Sequence, residues 1–329
     1  MARKQVLLIG GSLNQTTMMH RIGTELGVRY ACTYSPFYCD GFLLSLKNAG
    51  LLDFTILAGR FRARTEQYLR DHRLPVDDGG VRHDYDLVVT CSDLVLPRNI
   101  RNRPIVLVQE GMTDPENFAY HLARTAKLPL WIASTSTTGL SLGYRKFCVA
   151  SEGYRRLFSR KGVPADRLEV TGIPNFDDCV SFRENDFPYR GHVLVATSDS
   201  RETFKFDRRR PLVEKARALA AGRPLLFKLH PNENWERATR EIQAWAPEAI
   251  VLTEGNTNHM VANCDVLLTQ YSSVVFVGLA LGKECHSYFD LEELRDLLPI
   301  QNGGTSAAAI ARVCRAVAGD AIALERRSA

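Results

Sequence analysis

The sequence predicts an α/β protein made of two doubly wound, Rossmann-like domains in tandem. Three observations predict it. At 329 residues the chain exceeds one comfortable hydrophobic core. Short apolar runs alternate along it with segments of helical period, the pattern of parallel strands buried on both faces by crossover helices. A polar, acidic stretch without periodicity, between Pro174 and Pro188, divides the alternating series in two.

In the first half, Val6–Ile9 is a strand, and Gln15–Leu26 a helix with apolar residues at helical spacing. Phe54–Leu57, Leu87–Thr90, Ile105–Val108, Trp131–Ala133 and Phe147–Ala150 are further strand candidates, each a short apolar run bounded by polar or turn residues. Arg62–Asp71, Pro115–Thr125 and Glu152–Lys161 are the helices between them. Leu168–Thr171 closes the series, followed by Gly172-Ile-Pro-Asn.

The second half repeats the scheme. Strands are expected at Val193–Ala196, Leu225–Leu229, Ala249–Thr253, Val266–Thr269 and Cys285–Tyr288. Helices are expected at Arg210–Ala221, Asn234–Trp245, Thr257–Asn263, Val274–Leu281 (stopped by Gly282) and Ser306–Val317. The domain division is therefore 1–178 for an acceptor-binding domain and 179–329 for a nucleotide-donor-binding domain. In such a tandem, parallel sheets face a central cleft and ligands bind at the strands' carboxyl ends.

Composition sets the compartment. The chain is 45% hydrophobic and 24% charged, ordinary for a soluble globular protein. No apolar run approaches the ~20 residues that span a bilayer, and the apolar run behind the N-terminal Met-Ala-Arg-Lys-Gln is too short for a signal peptide. A cytoplasmic protein is expected. The eight cysteines form no CxxC pair and read as small apolar residues. The net charge of +5 gives no case for nucleic acid. Arg208-Arg209-Arg210 and Arg326-Arg327 read as solvated helix faces, or as peripheral contacts with an anionic lipid-linked acceptor at the inner face of a membrane.

The chemistry-bearing residues fall at strand ends. Glu110 follows the strand Ile105–Val108 and precedes Gly111, which lets a substrate approach the backbone. A carboxylate there can take the proton of an attacking hydroxyl; a salt-bridged surface glutamate is the alternative. Asp114, before Pro115, reads as a helix cap. His230-Pro231 ends one apolar run and Ser272-Ser273 another, each leading into a helix. Free N–H groups and the positive end of a helix dipole make such junctions seats for phosphate. Lys228 lies on His230's face of the strand as a second cation, and one of the two serines serves equally as a plain N-cap. Glu254, at another strand end, can accept two ribose hydroxyls or be a generic strand-end carboxylate. The turn Gly10–Thr17 lacks both GxGxxG and the P-loop lysine, so Ser12 and Asn14 are assigned to the acceptor or donor-sugar side. Asp77-Asp78 and Asp177-Asp178 lie in loop-like sequence, so no metal ligand set is expected. The absence of GxSxG and HExxH disfavours hydrolases.

With Glu110-Gly111, His230-Pro231 and Ser272-Ser273 in this order, the chain resembles the GT-B glycosyltransferases that use CMP-activated sugars: the bacterial sialyltransferase, polysialyltransferase and capsule Kdo-transferase groups. The resemblance implies that Glu110 is the catalytic base and that His230, Ser272 and Ser273 contact the donor phosphate. It places Glu254 where some members hold the nucleotide ribose. The family's acidic pair before glycine is Gln109-Glu110 here, so one carboxylate is kept. Asp265–Lys283 and Lys228-Leu-His-Pro-Asn-Glu233 also look like the CDP-glycerol glycerophosphotransferases, which carry a histidine where this chain has Glu110. Gly172-Ile-Pro-Asn is similar to the interdomain turn of UDP-N-acetylglucosamine 2-epimerases, whose N-terminal motif is missing.

The expected activity is that of an inverting, metal-independent glycosyltransferase without a bound cofactor. It would move a sialic acid- or Kdo-like sugar from a CMP-linked donor to a glycan or lipid-linked acceptor in surface polysaccharide biosynthesis. A CDP-glycerol-type phosphotransferase and a non-catalytic nucleotide-sugar-binding module are the alternatives.

Overall fold

The computed structural model describes residues 3–53, 55–126, 128–198, 201–202 and 207–319. The chain forms two compact α/β units. The first comprises residues up to Asp177 together with those from Asn302 onward, and the second spans Asp178–Gln301.

The first unit holds a six-stranded sheet of β1 (Lys4–Gly10), β2 (Tyr30–Pro36), β3 (Leu87–Thr90), β4 (Ile105–Val108), β5 (Lys146–Val149) and β6 (Leu168–Val170), in the order β2-β1-β3-β4-β5-β6. Every pairing is parallel. β3 and β4 are buried along their whole length, as near-continuous apolar strands in such a sheet must be. The helices are α1 (Leu13–Leu26), α2 (Gly41–Asn48), α3 (Gly59–Asp71), α4 (Phe118–Thr125) and α5 (Glu152–Lys161). Ser12 caps α1 by accepting the Gln15 N–H at 3.1 Å. α5 starts at the Ser151 cap and stops at Gly162, whose left-handed φ of 105° suits glycine.

The second unit holds a five-stranded parallel sheet of β7 (His192–Ala196), β8 (Leu225–Lys228), β9 (Ile250–Leu252), β10 (Cys264–Thr269) and β11 (Glu284–His286), ordered β11-β10-β7-β8-β9. Its helices are α6 (Arg209–Ala220), α7 (Trp235–Trp245), α8 (Thr257–Asn263), α9 (Val274–Ala280) and α10 (Leu291–Asp296). α6 and α7 cover one face, packing Leu212, Val213, Ala238 and Ile242 onto Val193, Val195, Leu225 and Phe227.

The structure departs from the sequence reading in several places, and α2 and α10 are helices that the sequence reading does not contain. Residues 55–58 form turns where a strand from Phe54 was expected, and Phe54 itself lies outside the described residues. Leu130–Thr137 is two 3-10 turns separated by a kink at Ala133 and Ser134, not the strand Trp131–Ala133; Pro129 opens it and Trp131 and Ile132 are exposed, so no apolar strand face exists. β2 was not anticipated, because Tyr-Ala-Cys-Thr-Tyr-Ser-Pro lacks an apolar run. Finally, α11 (Ser306–Val317) belongs to the first unit, not to a second domain ending at 329. Ile310, Ala311 and Cys314 are buried on its apolar face, which packs against α1 and β3–β5. The Asp177 carboxylate accepts the Ser306 N–H at 2.9 Å, at the first residue of the helix.

Candidate functional site

In the first unit the chain order reverses between β1 and β3, the position where ligands bind in open α/β sheets. Gly10 ends β1 there. A Cβ on it would come within 2.7 Å of Thr16 Oγ1 and 2.9 Å of Thr16 Cα, so only glycine lets α1 start this close to the strand. Two strands over, Glu110 follows β4. Ser12 Oγ donates to Glu110 Oε1 at 2.8 Å, and Gln15 Nε2 donates to Oε2 at 2.5 Å. Gln15 is itself fixed, its Oε1 accepting the Gly11 N–H at 2.8 Å. Both carboxylate oxygens are thus held by the first turn of α1, where the helix dipole favours negative charge. Burial raises the Glu110 pKa above the usual carboxylate value, and the Gln15 and Ser12 hydrogen bonds pull it partway back.

Gln109 is buried and structural. Its Oε1 accepts the Ala150 N–H at 2.9 Å and its Nε2 donates to the Gly111 carbonyl at 2.8 Å, tying the end of β4 to that of β5. An amide meets both needs and a carboxylate cannot, which gives a physical reason for the single acid at this turn. Asn14 is exposed and offers its carbonyl to Asn175 Nδ2 at 3.2 Å. Asp114 accepts from Thr135 Oγ1 at 2.8 Å, whereas Asn117 is the residue that caps α4.

In the second unit His230-Pro231 follows β8. The His230 N–H donates to Thr197 Oγ1 at 3.0 Å and to Glu233 Oε2 at 2.8 Å. His230 Nδ1 accepts the Asn232 N–H at 3.3 Å, which in the neutral ring leaves the proton on Nε2, a donor suited to a phosphate oxygen. The Trp235 indole N–H donates to the His230 carbonyl at 3.1 Å.

Beneath this turn lies an ionic network that the sequence reading did not find. Arg209 Nη2 meets Glu233 Oε1 at 2.5 Å and Asp207 Oδ2 at 3.0 Å, all three side chains being 2% exposed or less. Glu233 also accepts from Thr197 Oγ1. Gln270 Nε2 donates to Asp207 Oδ1 at 2.5 Å, and Ser198 Oγ donates to Gln270 Oε1 at 3.0 Å. The segments after β7, β8 and β10 are thereby joined through one guanidinium. Burial disfavours its charge, but the Glu233 and Asp207 carboxylates outweigh that and raise its pKa. Arg209 therefore does not belong to a solvent-facing Arg208–Arg210 cluster; Arg210 pairs with Glu214, and Arg326-Arg327 lie outside the described residues. The only sequence signal was Glu233 three residues after His230.

Lys228 does not stand beside His230 as a surface cation. It is buried, its ammonium donating to the carbonyls of Leu229 at 2.8 Å and Thr253 at 3.1 Å. Burial lowers its pKa, with Glu233 and Glu254 opposing the shift. Glu254 is exposed just past β9. Ser272 and Ser273 are half-buried at the start of α9. Ser272 Oγ accepts the Val274 N–H at 3.4 Å, and no hydrogen bond among the described residues uses the Ser273 hydroxyl.

Three of the four aspartates in the acidic pairs are used in the fold. Asp77 is buried, accepting from Tyr85 Oη at 2.7 Å and the Arg82 N–H at 2.8 Å. Asp78 pairs with Arg62 at 2.5 Å, and Asp177 holds α11. Among the described residues no group of three or more His, Cys, Asp or Glu is placed to hold a metal ion, and no helix is long and apolar enough to cross a membrane.

No family model matches the chain, and no curated protein matches it. Solved structures do. A UDP-N-acetylglucosamine 2-epimerase from Neisseria meningitidis, bound to UDP-N-acetylglucosamine, is similar with a TM-score of 0.57 and 13% identity, over 94% of this chain and 99% of that one. Another UDP-N-acetylglucosamine 2-epimerase gives 0.55 and 11% over 96% of each chain. The Methanocaldococcus jannaschii enzyme, in complex with UDP-N-acetylglucosamine and UDP, gives 0.52 and 11% over 95% and 99%. These proteins have the GT-B fold, and the two parallel-sheet, Rossmann-like units of this chain are of that fold.

Proposed function

We propose that the chain is a nucleotide-sugar enzyme, and specifically an inverting glycosyltransferase using a CMP-activated sialic acid- or Kdo-like donor. The observation that carries this is Glu110: a carboxylate at a strand's carboxyl end, its pKa raised by burial and both its oxygens fixed by Ser12 and Gln15. A base with a raised pKa is better matched to removing a hydroxyl proton near neutral pH. In this proposal Glu110 takes the proton of an acceptor hydroxyl on a glycan or lipid-linked chain. The acceptor oxygen bonds to the anomeric carbon as the bond from that carbon to the phosphate oxygen breaks. A single displacement inverts the centre. CMP leaves with the electron pair, its phosphate met by His230 Nε2 and the Ser272 and Ser273 hydroxyls. In this proposal these groups supply the neutralisation of the leaving phosphate.

A second reading, a UDP-sugar 2-epimerase, is favoured by the Gly172-Ile-Pro-Asn turn and by the near-complete coverage of epimerases in the structural comparison. Thermal unfolding with CMP, CDP, UDP and GDP separates the two. A ligand at about 100 times its dissociation constant adds about 2.7 kcal/mol of stability. Stabilisation by cytidine nucleotides supports the transferase, and it should weaken tenfold or more in a folded His230→Ala protein, which loses a charge-assisted hydrogen bond. Stabilisation by UDP alone overturns the CMP-sugar assignment and favours the epimerase.

A further inference from the structure

Two tyrosines beside the serine pair have no role in the core of their unit. Tyr271, immediately before Ser272, is 51% exposed, and Tyr288, just past β11, is 44% exposed. Their rings meet edge to face at 5.4 Å, and Phe289 braces Tyr271 from 5.1 Å. The segments carrying them are fixed to each other. Ser287 Oγ donates to the Gln270 carbonyl at 3.1 Å, and the Tyr288 N–H donates to the same oxygen at 3.4 Å. Gln270 is in turn held by the buried Asp207. This is a braced aromatic surface at the carboxyl ends of β10 and β11, presented to solvent.

Strand order says what such a surface would meet. Across the sheet the carboxyl ends run from β9, with Glu254, through β8, with His230, and β7 to β10, with Ser272 and Ser273, and then to β11. Neighbouring strands lie about 4.8 Å apart. Resting on the donor reading above, a nucleotide whose ribose is at Glu254 and whose phosphate is at His230 and the serines runs across the sheet toward β10. Whatever is attached beyond the phosphate arrives at β10 and β11. That group is the transferred sugar, not the base. We propose that Tyr271 and Tyr288 form a platform for the pyranose ring of the donor, packing against the apolar C–H face of the sugar.

The test is calorimetric titration of Tyr271→Ala and Tyr288→Ala with two probes, CMP and CMP-N-acetylneuraminate, with Tyr271→Phe as the ring-preserving control. Both alanine variants should bind the CMP-sugar about tenfold more weakly, bind CMP as the wild type does, and melt normally; Tyr271→Phe should bind both probes normally. Equal weakening toward CMP and the CMP-sugar would overturn the assignment by putting the rings at the nucleotide. Unchanged binding of both probes would overturn it as well, while leaving the donor reading intact. Failure of the wild type to bind either probe would remove the donor reading and the platform together.

Discussion

Ser12 Oγ serves two partners at once: it accepts the Gln15 N–H at 3.1 Å as the cap of α1 and donates to Glu110 Oε1 at 2.8 Å. The atom that starts the helix therefore also orients the carboxylate, and Gln15, three residues into the same turn, holds the other oxygen. Helix formation and the placement of the proposed base are a single event.

Ser12→Ala should separate these roles. Loss of the cap should cost about 1 kcal/mol of stability, read by chemical denaturation. The hydrogen bond favours the ionised carboxylate, so its loss should raise the Glu110 pKa further. A general base works only when deprotonated, and activity falls as pH drops through its pKa. The acid limb of the pH–rate profile should therefore move to higher pH. A limb that stays put while stability drops would confine Ser12 to capping.

Glu110→Gln keeps the size of the side chain but cannot accept a proton, so turnover should fall about 10²–10⁴-fold. CMP release with acceptor present measures it, alongside CMP titration of the same variant. Nucleotide affinity should stay near wild type, since the residues proposed to bind the phosphate lie on the other unit. Near-normal turnover would take Glu110 out of the chemistry.

Arg209→Met should be among the most damaging single changes in the second unit. It leaves the Glu233 carboxylate buried without a cation, while Asp207 keeps Arg201 Nε at 3.2 Å, a loss of about 3–5 kcal/mol. Glu233→Gln in the same chain removes one of those charges and should recover part of it. Urea denaturation of the single and double variants decides; a single-variant loss below about 1 kcal/mol would show the network to be dispensable.

His192, the first residue of β7, is fully buried, with its ring nitrogens shielded from solvent beside the Met260 backbone. Burial, with a small contribution from Lys283, lowers its pKa from 6.5 to about 4, against the opposing effects of Asp265 and the Met260 backbone. The neutral ring is the one the fold accepts. Stability from this group is complete above pH 6.5 and is lost as pH falls from there to about 4, on the order of 3 kcal/mol in all. His192→Leu cannot take up that proton, so its stability should be flatter across the window. Equal acid losses in both proteins, measured at several pH values, would show that another group drives the transition.

What the sequence determined by itself was local. Leu87–Thr90 and Ile105–Val108 are strands with those ends because a short apolar run must be buried on both faces. Glu152–Lys161 and Ser306–Val317 are helices with those ends because period and terminal residues are contiguous signals. The same logic put Glu110, His230 and the serine pair at strand ends. The tertiary structure alone decided everything that depends on residues far apart in the chain. Ser12 and Glu110 meet across 98 residues, and Thr197 and Glu233 across 36. The Lys228 ammonium turns to backbone carbonyls, and Arg209 leaves a run of three arginines for a buried carboxylate pair. Ser306–Val317 is legible as a helix, yet its apolar face closes the first sheet, not the second. Periodicity tells a helix to bury one face; which sheet receives that face is fixed only when the chain has folded back to offer one.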